Sequence, residues 1–398
     1  MRNASSAYRE EVRPEPSPKE RKEQSPVVAV GPVDYTVFLV SIILVLFGLM
    51  MIFSASYVNT GRNVHYDFNP FFYLQRHGMM VAIGFVAMGI MANFPYRLLK
   101  IFAMPSFIIS IVLLLIAAFT GSPGRGRWID LPNFQFQPSE LAKIALILAM
   151  ARVVDRKPFT LHKWSGYLYC LGLTGIMAAL ILRGGDLGTT VIIAVIGCGL
   201  IFMASPHIWR FIVAGVAIVA GMYGAVQYII TNLYANPNDD FRIGRILAWI
   251  DPFAYYRSTG WQTIQSLYAV ASGGPFGLGI GQSLQKSILP EVHHDMIFAI
   301  VVEELGFVGA GIILFMFGIM IRRGLLIAVN ALDTFGSMIA TGITLMIGIQ
   351  ALVNVAVITN AFPNTGIPMP FISYGGTFLV VCMGAVGILL NISRYSRM

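Results

Sequence analysis

Charged residues are scarce in this sequence. Only 12% of the 398 residues are Asp, Glu, Lys or Arg, whereas an ordinary soluble domain carries roughly 25%. Hydrophobic residues make up 56% of the chain. Because a membrane-spanning helix needs about 20 mostly apolar residues, this composition excludes a soluble globular domain, a peripheral protein and a single-pass anchor.

Cysteine is almost absent, and the three that occur lie in apolar stretches without CxxC or Cys/His spacing: Cys170, Cys198 and Cys382. This pattern excludes a disulfide framework and a structural zinc site. The 40 glycines and 20 prolines show no Gly-X-Y period, which excludes collagen, and both residues are tolerated in membrane helices. The first apolar run is too long for a signal-peptide core, so we expect an uncleaved first helix.

Apolar stretches recur along the rest of the chain and predict an all-α, polytopic membrane protein with about ten transmembrane helices. Residues 231–295 form by far the longest loop between them, and loops of that length are usually functional. The predicted spans are Tyr35–Tyr57, Phe72–Asn93, Ile101–Phe119, Leu141–Val154, Trp164–Leu182, Leu187–Ala204, Phe211–Ile230, Met296–Met320, Phe335–Val357 and Thr377–Ile392.

The net charge of +8 would suggest a nucleic-acid partner in a soluble protein, but here it reports orientation in the membrane. With the N-terminus inside, 17 Lys and Arg residues fall in the cytoplasm and 9 on the outer side. The positive-inside rule therefore places both termini in the cytoplasm and loop 231–295 outside. Residues 1–34 are polar, proline-rich and without helical periodicity, which predicts a disordered cytoplasmic tail. The remainder, 35–398, is the predicted transmembrane domain.

Ionisable residues in apolar spans are costly and are therefore functional candidates. Glu140 and Lys143 are three residues apart, so they share a helix face and can neutralise each other. Adjacent Glu303 and Glu304 point in different directions, so at least one needs a buried partner, for which Lys143 is the lysine available within a span. Asp186 is either a functional carboxylate or an interface charge paired with Arg183.

Asp295 stands where the long outer loop enters the eighth span, at the boundary between water and hydrocarbon. Partial desolvation there would make its carboxylate a better base. His293 and His294 precede it, but adjacent histidines are expected to diverge, so they do not predict a metal site. Asp295 is therefore the strongest candidate for a catalytic residue.

Arg242 and Arg245 would share a helix face and offer guanidinium groups suited to phosphate oxygens. Alternatively, they contact anionic lipid headgroups. The last outer loop, residues 360–377, contains three prolines and three glycines and no charge. Such a stiff segment near a membrane must pack against protein or line a cavity, so it is a candidate ligand-facing wall.

Several of these residues lie in motifs that together resemble the SEDS family of bacterial cell-wall proteins, whose members include FtsW, RodA and the sporulation protein SpoVE. The resemblance covers nearly everything after the tail. The matching motifs are Arg127 to Ile129, Gln137 to Glu140 with Lys143, Asp186 to Thr189, Gly260 to Gln262 with Gln265 and Ser266, Leu289 to Glu291 with His293 and Asp295, Glu303 to Gly306, and Gly366 to Pro368 with Ser373 to Gly376.

The resemblance implies a peptidoglycan glycosyltransferase that polymerises lipid II on the outer face of the bacterial cytoplasmic membrane and releases undecaprenyl diphosphate. It implies a class B penicillin-binding protein and other division proteins as partners. Asp295 falls on the family's essential aspartate, Glu140 and Lys143 on its cavity pair, and Asp186 on its outer-loop aspartate. The other predicted substrate-binding or cavity residues are Arg242, Arg245, Lys286, Glu291, Ser373 and Tyr374.

The chain departs from the family's pattern at Gly185, where members usually have proline, and at Ser287. The polar tail and the run from Asn364 to Pro368 resemble FtsW more than RodA, which predicts a septal role in cell division. An elongation role like that of RodA and a sporulation role like that of SpoVE stay open. Magnesium could assist departure of the diphosphate, although the sequence shows no dedicated ligand cluster.

Two other classes of function compete with the polymerase. A transporter that flips lipid-linked precursors would also contain intramembrane Glu and Lys and Gly/Pro-broken segments. It would spread its charges from one face to the other, whereas most of the conspicuous charges here gather at the outer end. A non-catalytic scaffold for division proteins would not need Asp295.

Overall fold

The computed structural model is an all-α protein, which confirms the predicted fold class. It describes residues 31–61, 68–120, 126–131, 134–156, 161, 163–205, 209–210, 224, 241–289 and 292–396. Its long helices are α1 (Tyr35–Gly61), α2 (Phe72–Asn93), α3 (Leu99–Thr120), α4 (Pro138–Arg156), α5 (Trp164–Arg183), α6 (Leu187–Ala204), α9 (Ile297–Asn330), α10 (Thr334–Ile358) and α11 (Gly376–Arg394). The shorter helices α7 (Phe241–Ile250) and α8 (Trp261–Gly273) lie in the long loop.

Eight helices in the described part of the chain are long and apolar enough to cross a membrane. Two of the ten predicted spans are not among them. The fourth is helix α4, which is 19 residues long but carries several charges. The seventh, Phe211–Ile230, lies outside the described residues. The described residues therefore establish a multi-pass membrane protein without fixing the number of spans at ten.

Helices α10 and α11 form the centre of the bundle. In each of these two helices, 72% of an 18-residue apolar stretch is buried within the protein, whereas the corresponding share in α2 is 22%. Helix α10 packs against α4, α6 and α9, while α11 packs along α2. Helix α4 is also buried over most of its length. The charges that α4 carries near its start are therefore enclosed by protein rather than by lipid.

A short antiparallel hairpin precedes α4. Strand β1 (Ile129–Leu131) pairs with β2 (Phe134–Phe136), with Asp130 opposite Gln135. The two strands were not predicted from the sequence, because three-residue strands are too short to produce a periodic pattern. The hairpin leads directly into Gln137 and the first turn of α4.

Helix α9 is 34 residues long and continues ten residues past the predicted end of its span at Met320. The prediction followed the apolar run, which stops before Arg322, whereas a helix can continue beyond the hydrocarbon because its backbone hydrogen bonds are internal. Arg323 forms an ion pair with Asp34 at 2.6 Å. Asp34 also accepts backbone hydrogen bonds at the start of α1, so this pair connects the start of α1 to α9.

Near its other end α9 is broken at Gly306, whose φ of 70° is favourable only for glycine. The break frees backbone groups that bond to the long loop. Phe307 donates its backbone N–H to Gly274 at 3.0 Å, and Leu278 donates to the Glu303 carbonyl at 2.9 Å. The part of the loop that directly follows α8 is thus fastened to α9 by main-chain hydrogen bonds.

Candidate active site

Asp295 lies two residues before α9 and is partly exposed. A buried side chain of α10 supports its backbone: Asn354 Nδ2 donates to the carbonyl oxygens of both Asp295 and Ile367, at 2.8 Å each. This amide joins the end of the long loop to the last outer loop. It places Gly366 so close to Asp295 that a methyl group added there would lie 3.6 Å from the carboxylate Oδ2.

The Asp295 carboxylate also receives a side-chain hydrogen bond from α8. Gln262 Nε2 donates to Asp295 Oδ1 over 3.4 Å. On the other side of the same amide, Gln262 Oε1 accepts a hydrogen bond from Asn364 Nδ2 at 2.9 Å. Three separate segments therefore meet around Asp295: α8 bonds its carboxylate, α10 bonds its backbone carbonyl, and the last outer loop bonds Gln262.

Arg245 of α7 is half-buried near this group. Burial lowers its pKa, and the positive charge of Arg127 lowers it further, while the carboxylates of Asp295 and Asp186 oppose this effect. The guanidinium stays protonated, because arginine does not lose its proton in proteins near neutral pH. The site thus combines a carboxylate with a fixed positive charge. Arg242 lies in α7 as well, but its side chain is outside the described part of the structure, and so is Glu291.

The last outer loop is packed into protein, as its composition predicted. Tyr374 donates its backbone N–H to the His293 carbonyl at 2.8 Å, and its ring packs edge-on against Tyr73 with the centroids 5.0 Å apart. Ser373 is buried, and its hydroxyl accepts the Met369 N–H at 2.7 Å. Within these contacts Ser373 closes a turn, whereas Tyr374 joins the loop to α2 and to the residues before Asp295.

The sequence predicted that His293 and His294 would point apart, and this prediction is wrong. Their ring centroids lie only 4.6 Å apart. His294 Nδ1 lies 3.1 Å from the Tyr374 carbonyl. Burial, with a smaller effect from His294, lowers the pKa of His293 to about 3, so its ring is neutral at physiological pH. No group of three or more His, Cys, Asp or Glu residues able to hold a metal ion occurs among the described residues.

Asp186 caps helix α6. Its Oδ1 accepts the Thr189 N–H at 3.0 Å, and its Oδ2 accepts from the Thr189 hydroxyl at 2.9 Å and from Gln137 Nε2 at 3.1 Å. Arg183, which was the alternative partner, instead lies over the ring of Phe119 at 5.1 Å. Asp186 thereby joins the start of α6 to the residue that leads into α4.

Glu140 and Lys143 form the predicted pair. Lys143 Nζ lies 2.7 Å from Glu140 Oε2, and both side chains are at most 3% exposed. Gln350 of α10 completes the group, since its amide accepts a hydrogen bond from Lys143 Nζ when oriented to satisfy both of its polar atoms. The pair is therefore enclosed between α4 and α10.

The expected pairing of Lys143 with Glu303 or Glu304 is not found. Glu304 instead accepts a hydrogen bond from Ser54 at 2.7 Å and lies 3.8 Å from Lys286 Nζ. Glu303 accepts hydrogen bonds from the Ser283 hydroxyl and from the Leu284 N–H. These partners lie far from the glutamates in sequence, which is why the span pattern did not reveal them.

The structure turns Lys286 inward. Its side chain is 6% exposed, and its amine donates to the Gly281 carbonyl as well as approaching Glu304. This placement favours a structural part for Lys286 in holding the outer loop, although its predicted contact with substrate stays untested.

Sequence reasoning assigned no role to the side-chain amides that organise the site. Asn354 and Gln350 could have been found, because polar residues inside an apolar span need partners. Gln262 and Asn364 lie in the matching motifs, but no spacing rule relates them to Asp295. Their role becomes visible only when the loops are packed together.

The chain is similar to characterised families over nearly its whole length. The family model described as "Cell cycle protein", which groups FtsW, RodA and SpoVE, matches residues 34–398. Probable peptidoglycan glycosyltransferase FtsW of Geobacter sp. (strain M18) is 36% identical over 370 residues, which cover 92% of this chain and 97% of that protein. Stage V sporulation protein E of Bacillus subtilis (strain 168) is also 36% identical, over 92% of this chain and 98% of that protein.

A solved structure has the same fold. It is a chain from work described as "Structural coordination of polymerization and crosslinking by a peptidoglycan synthase complex". The match has a TM-score of 0.72 and 25% identity and covers 91% of this chain and 98% of the other. The similarity therefore extends over the bundle and the outer loops together.

Proposed function

Because the chain belongs to the FtsW, RodA and SpoVE family of cell cycle proteins, we propose that it is a peptidoglycan glycosyltransferase that polymerises lipid II at the outer face of the cytoplasmic membrane. The observation that carries this proposal is the placement of Asp295. Gln262 of α8 donates to its partly exposed carboxylate, Asn354 of α10 holds its backbone carbonyl, and the Arg245 cation lies near it. A base beside a cation is what this transfer requires.

The reaction needs a proton acceptor and a group that stabilises the leaving diphosphate. Asp295 accepts the proton from a sugar hydroxyl of one substrate, whose oxygen then attacks the anomeric carbon of the other. The bond between that carbon and undecaprenyl diphosphate breaks, and the diphosphate leaves with the bonding electron pair. We assign Arg245 to balance the negative charge that develops on the diphosphate, and Arg242 to act with it.

Magnesium is a candidate aid to departure of the diphosphate. The described residues that surround Asp295 include its own carboxylate and neutral amides rather than a cluster of carboxylates, and magnesium prefers several oxygen ligands in octahedral geometry. Among the residues that the structure describes, those around Asp295 thus do not form a dedicated magnesium site. Stabilisation of the negative charge on the leaving diphosphate is therefore assigned to Arg245 and Arg242.

The proposed activity can be tested with purified components. We expect the purified protein, together with a class B penicillin-binding protein, to convert lipid II into glycan polymer that a gel of labelled product resolves. A crosslinking-inactive partner is the control, because its remaining effect can only be on polymerisation. Absence of polymer, together with movement of lipid II across the membrane of vesicles that contain the protein, would favour the transporter instead.

The proposed partner contact lies on the lipid-facing side of the eighth and ninth predicted spans, α9 and α10, where α9 carries Gly309, Gly311 and Gly318. Adding a methyl group at Gly311 or Gly318 would meet nothing within 4 Å, while Phe307 and Phe315 are exposed. Small residues beside large apolar ones let a second helix approach closely. We propose that the partner's single transmembrane helix packs here and that its outer domain contacts loop 231–295. Polymerisation should then rise on addition of the partner and not on addition of lipid alone.

The proposed site of action is the division septum. This proposal rests on the FtsW relative and on the run from Asn364 to Pro368. A fluorescent fusion is expected to concentrate at midcell, and depletion of the protein is expected to give filamentous cells. An even side-wall distribution with rounded cells after depletion would assign the chain to elongation, and a defect confined to spores would assign it to sporulation.

A further inference from the structure

The hydrogen bonds that lead to Asp295 form a relay with a single direction, which runs from Gly366 through Asn364 and Gln262 to the carboxylate. Gly366 donates its backbone N–H to Asn364 Oδ1 at 3.2 Å. Asn364 Nδ2 donates to Gln262 Oε1 at 2.9 Å, and Gln262 Nε2 donates to Asp295 Oδ1 at 3.4 Å. Each amide in the chain accepts on one side and donates on the other.

The direction of this chain follows from its first member. A backbone N–H can only donate, so the oxygen of Asn364 has to face Gly366 and its nitrogen has to face Gln262. The oxygen of Gln262 must then face Asn364, which turns its N–H group toward the carboxylate. If the Gln262 amide were rotated by 180°, its oxygen would face the negatively charged Asp295 instead, and that contact is repulsive.

We propose that Gln262 and Asn364 are positioning residues for Asp295, and that Asn364 acts through Gln262 by fixing which side of its amide faces the carboxylate. The proposal rests on the proposed function, in which Asp295 is the base. The N–H of Gln262 holds one carboxylate oxygen, so that Oδ2, which lies beside Gly366, is presented to the hydroxyl of the substrate.

The backbone around the relay is held independently of it. Asn354 ties the carbonyl groups of Asp295 and Ile367 together from within the bundle. The two loops therefore stay near each other when the relay is changed. Because the backbone is held independently, the orientation of the Asp295 carboxylate can be tested without loss of the loop arrangement.

Two substitutions of Asn364 distinguish the relay from a merely structural contact. Asn364→Asp keeps the size of the side chain and still accepts from Gly366, but it presents an oxygen to Gln262 and so reverses the Gln262 amide. Asn364→Ala only removes the constraint. We expect Asn364→Asp to lower kcat about 10- to 100-fold with little change in KM for lipid II, and Asn364→Ala to lower it by roughly less than tenfold. A structural role predicts the opposite order, because the isosteric aspartate would then be the milder change.

The matched control is Asn69→Asp, just before α2. Asn69 makes the same two kinds of contact as Asn364: its Oδ1 accepts the Phe71 N–H at 2.9 Å, and its Nδ2 donates to Gln75 Oε1 at 3.5 Å. This variant therefore also loses a donor and gains a negative charge, but it lies outside the relay. Its kcat is expected to stay within about threefold of the wild-type value. An equal loss in Asn69→Asp and Asn364→Asp would mean that added charge, and not the relay, is responsible.

A double mutant tests whether Asn364 acts through Gln262. In the Gln262→Ala background, Asn364→Asp should cause no further loss beyond about twofold, because no amide is left to reverse. Independent, multiplying losses would overturn the relay. Every variant is first checked for membrane expression and thermal stability in detergent.

Wild-type protein and the Asp295→Asn variant are measured beside the relay variants. Failure of the proposed polymerase function can then be distinguished from failure of the relay. A wild-type protein that makes no polymer overturns the proposed function and the catalytic role of the relay with it. A wild-type protein that polymerises lipid II, with Asn364→Asp no worse than Asn364→Ala, leaves the function in place and overturns the relay alone.

Discussion

Replacing Asp295 by asparagine is expected to lower the rate of glycan polymerisation by roughly 10²- to 10⁴-fold, which is the usual contribution of a general base. Asparagine keeps the size of the side chain and can still accept the hydrogen bond from Gln262, but it cannot take a proton from the substrate. The protein should therefore fold and insert normally. Initial rates with labelled lipid II, measured with the partner present, give the loss directly.

Asp251→Asn is the matched control for that experiment. Asp251 belongs to the same outer loop, is exposed, and accepts backbone hydrogen bonds from Phe253 and Ala254 at 3.1 Å each. The Asp251→Asn substitution makes the same chemical change at a turn, so the polymerisation rate of this variant should remain near that of the wild type. A well-folded Asp295→Asn variant that retained more than about a tenth of wild-type activity would remove Asp295 from the role of base.

The second large effect is expected at the buried pair of Glu140 and Lys143. Lys143→Met leaves the Glu140 carboxylate without its cation inside the bundle, and breaking a buried pair typically costs roughly 3–5 kcal/mol of stability. The double variant Glu140→Gln with Lys143→Met should lose much less than the two single losses combined, because neither charge then remains. Thermal and denaturant unfolding of each variant in detergent gives its loss of stability, and comparison of the single and double variants gives the coupling.

The control for this prediction is a partly exposed lysine. Lys100 lies 2.9 Å from Asp155 and 3.5 Å from Asp333, and its side chain is 34% exposed. Because water screens such a pair, Lys100→Met should cost no more than about 1 kcal/mol. Additive losses for Glu140 and Lys143 would contradict their direct coupling, despite the 2.7 Å separation of their charged atoms.

The local features of the site were predictable because they depend on neighbours in sequence. Glu140 and Lys143 share a helix face at a spacing of three, and the structure confirms their contact. The stiffness of the last outer loop followed from its prolines and glycines, and it is indeed packed into protein. The partners of Glu303 and Glu304 were not predictable in this way, since Ser54 is separated from Glu304 by 250 residues.

The sequence by itself determined that this is an all-α, multi-pass membrane protein and where most of its helices begin. A bilayer admits only spans of sufficient apolar length with internally paired backbones, so run length and charge scarcity decide the matter. Helices α2 and α6 coincide with their predicted spans for this reason.

Only the tertiary structure decided which polar groups meet. Gln262 of an outer-loop helix reaches the Asp295 carboxylate, Asn354 of a transmembrane helix reaches its backbone, and Asn364 of the last outer loop reaches Gln262. Lys286 turns toward Glu304 rather than toward the surface. Hydrogen bonds act over about 3 Å, so their partners are set by how the helices and loops pack, and no periodicity along the chain records that packing.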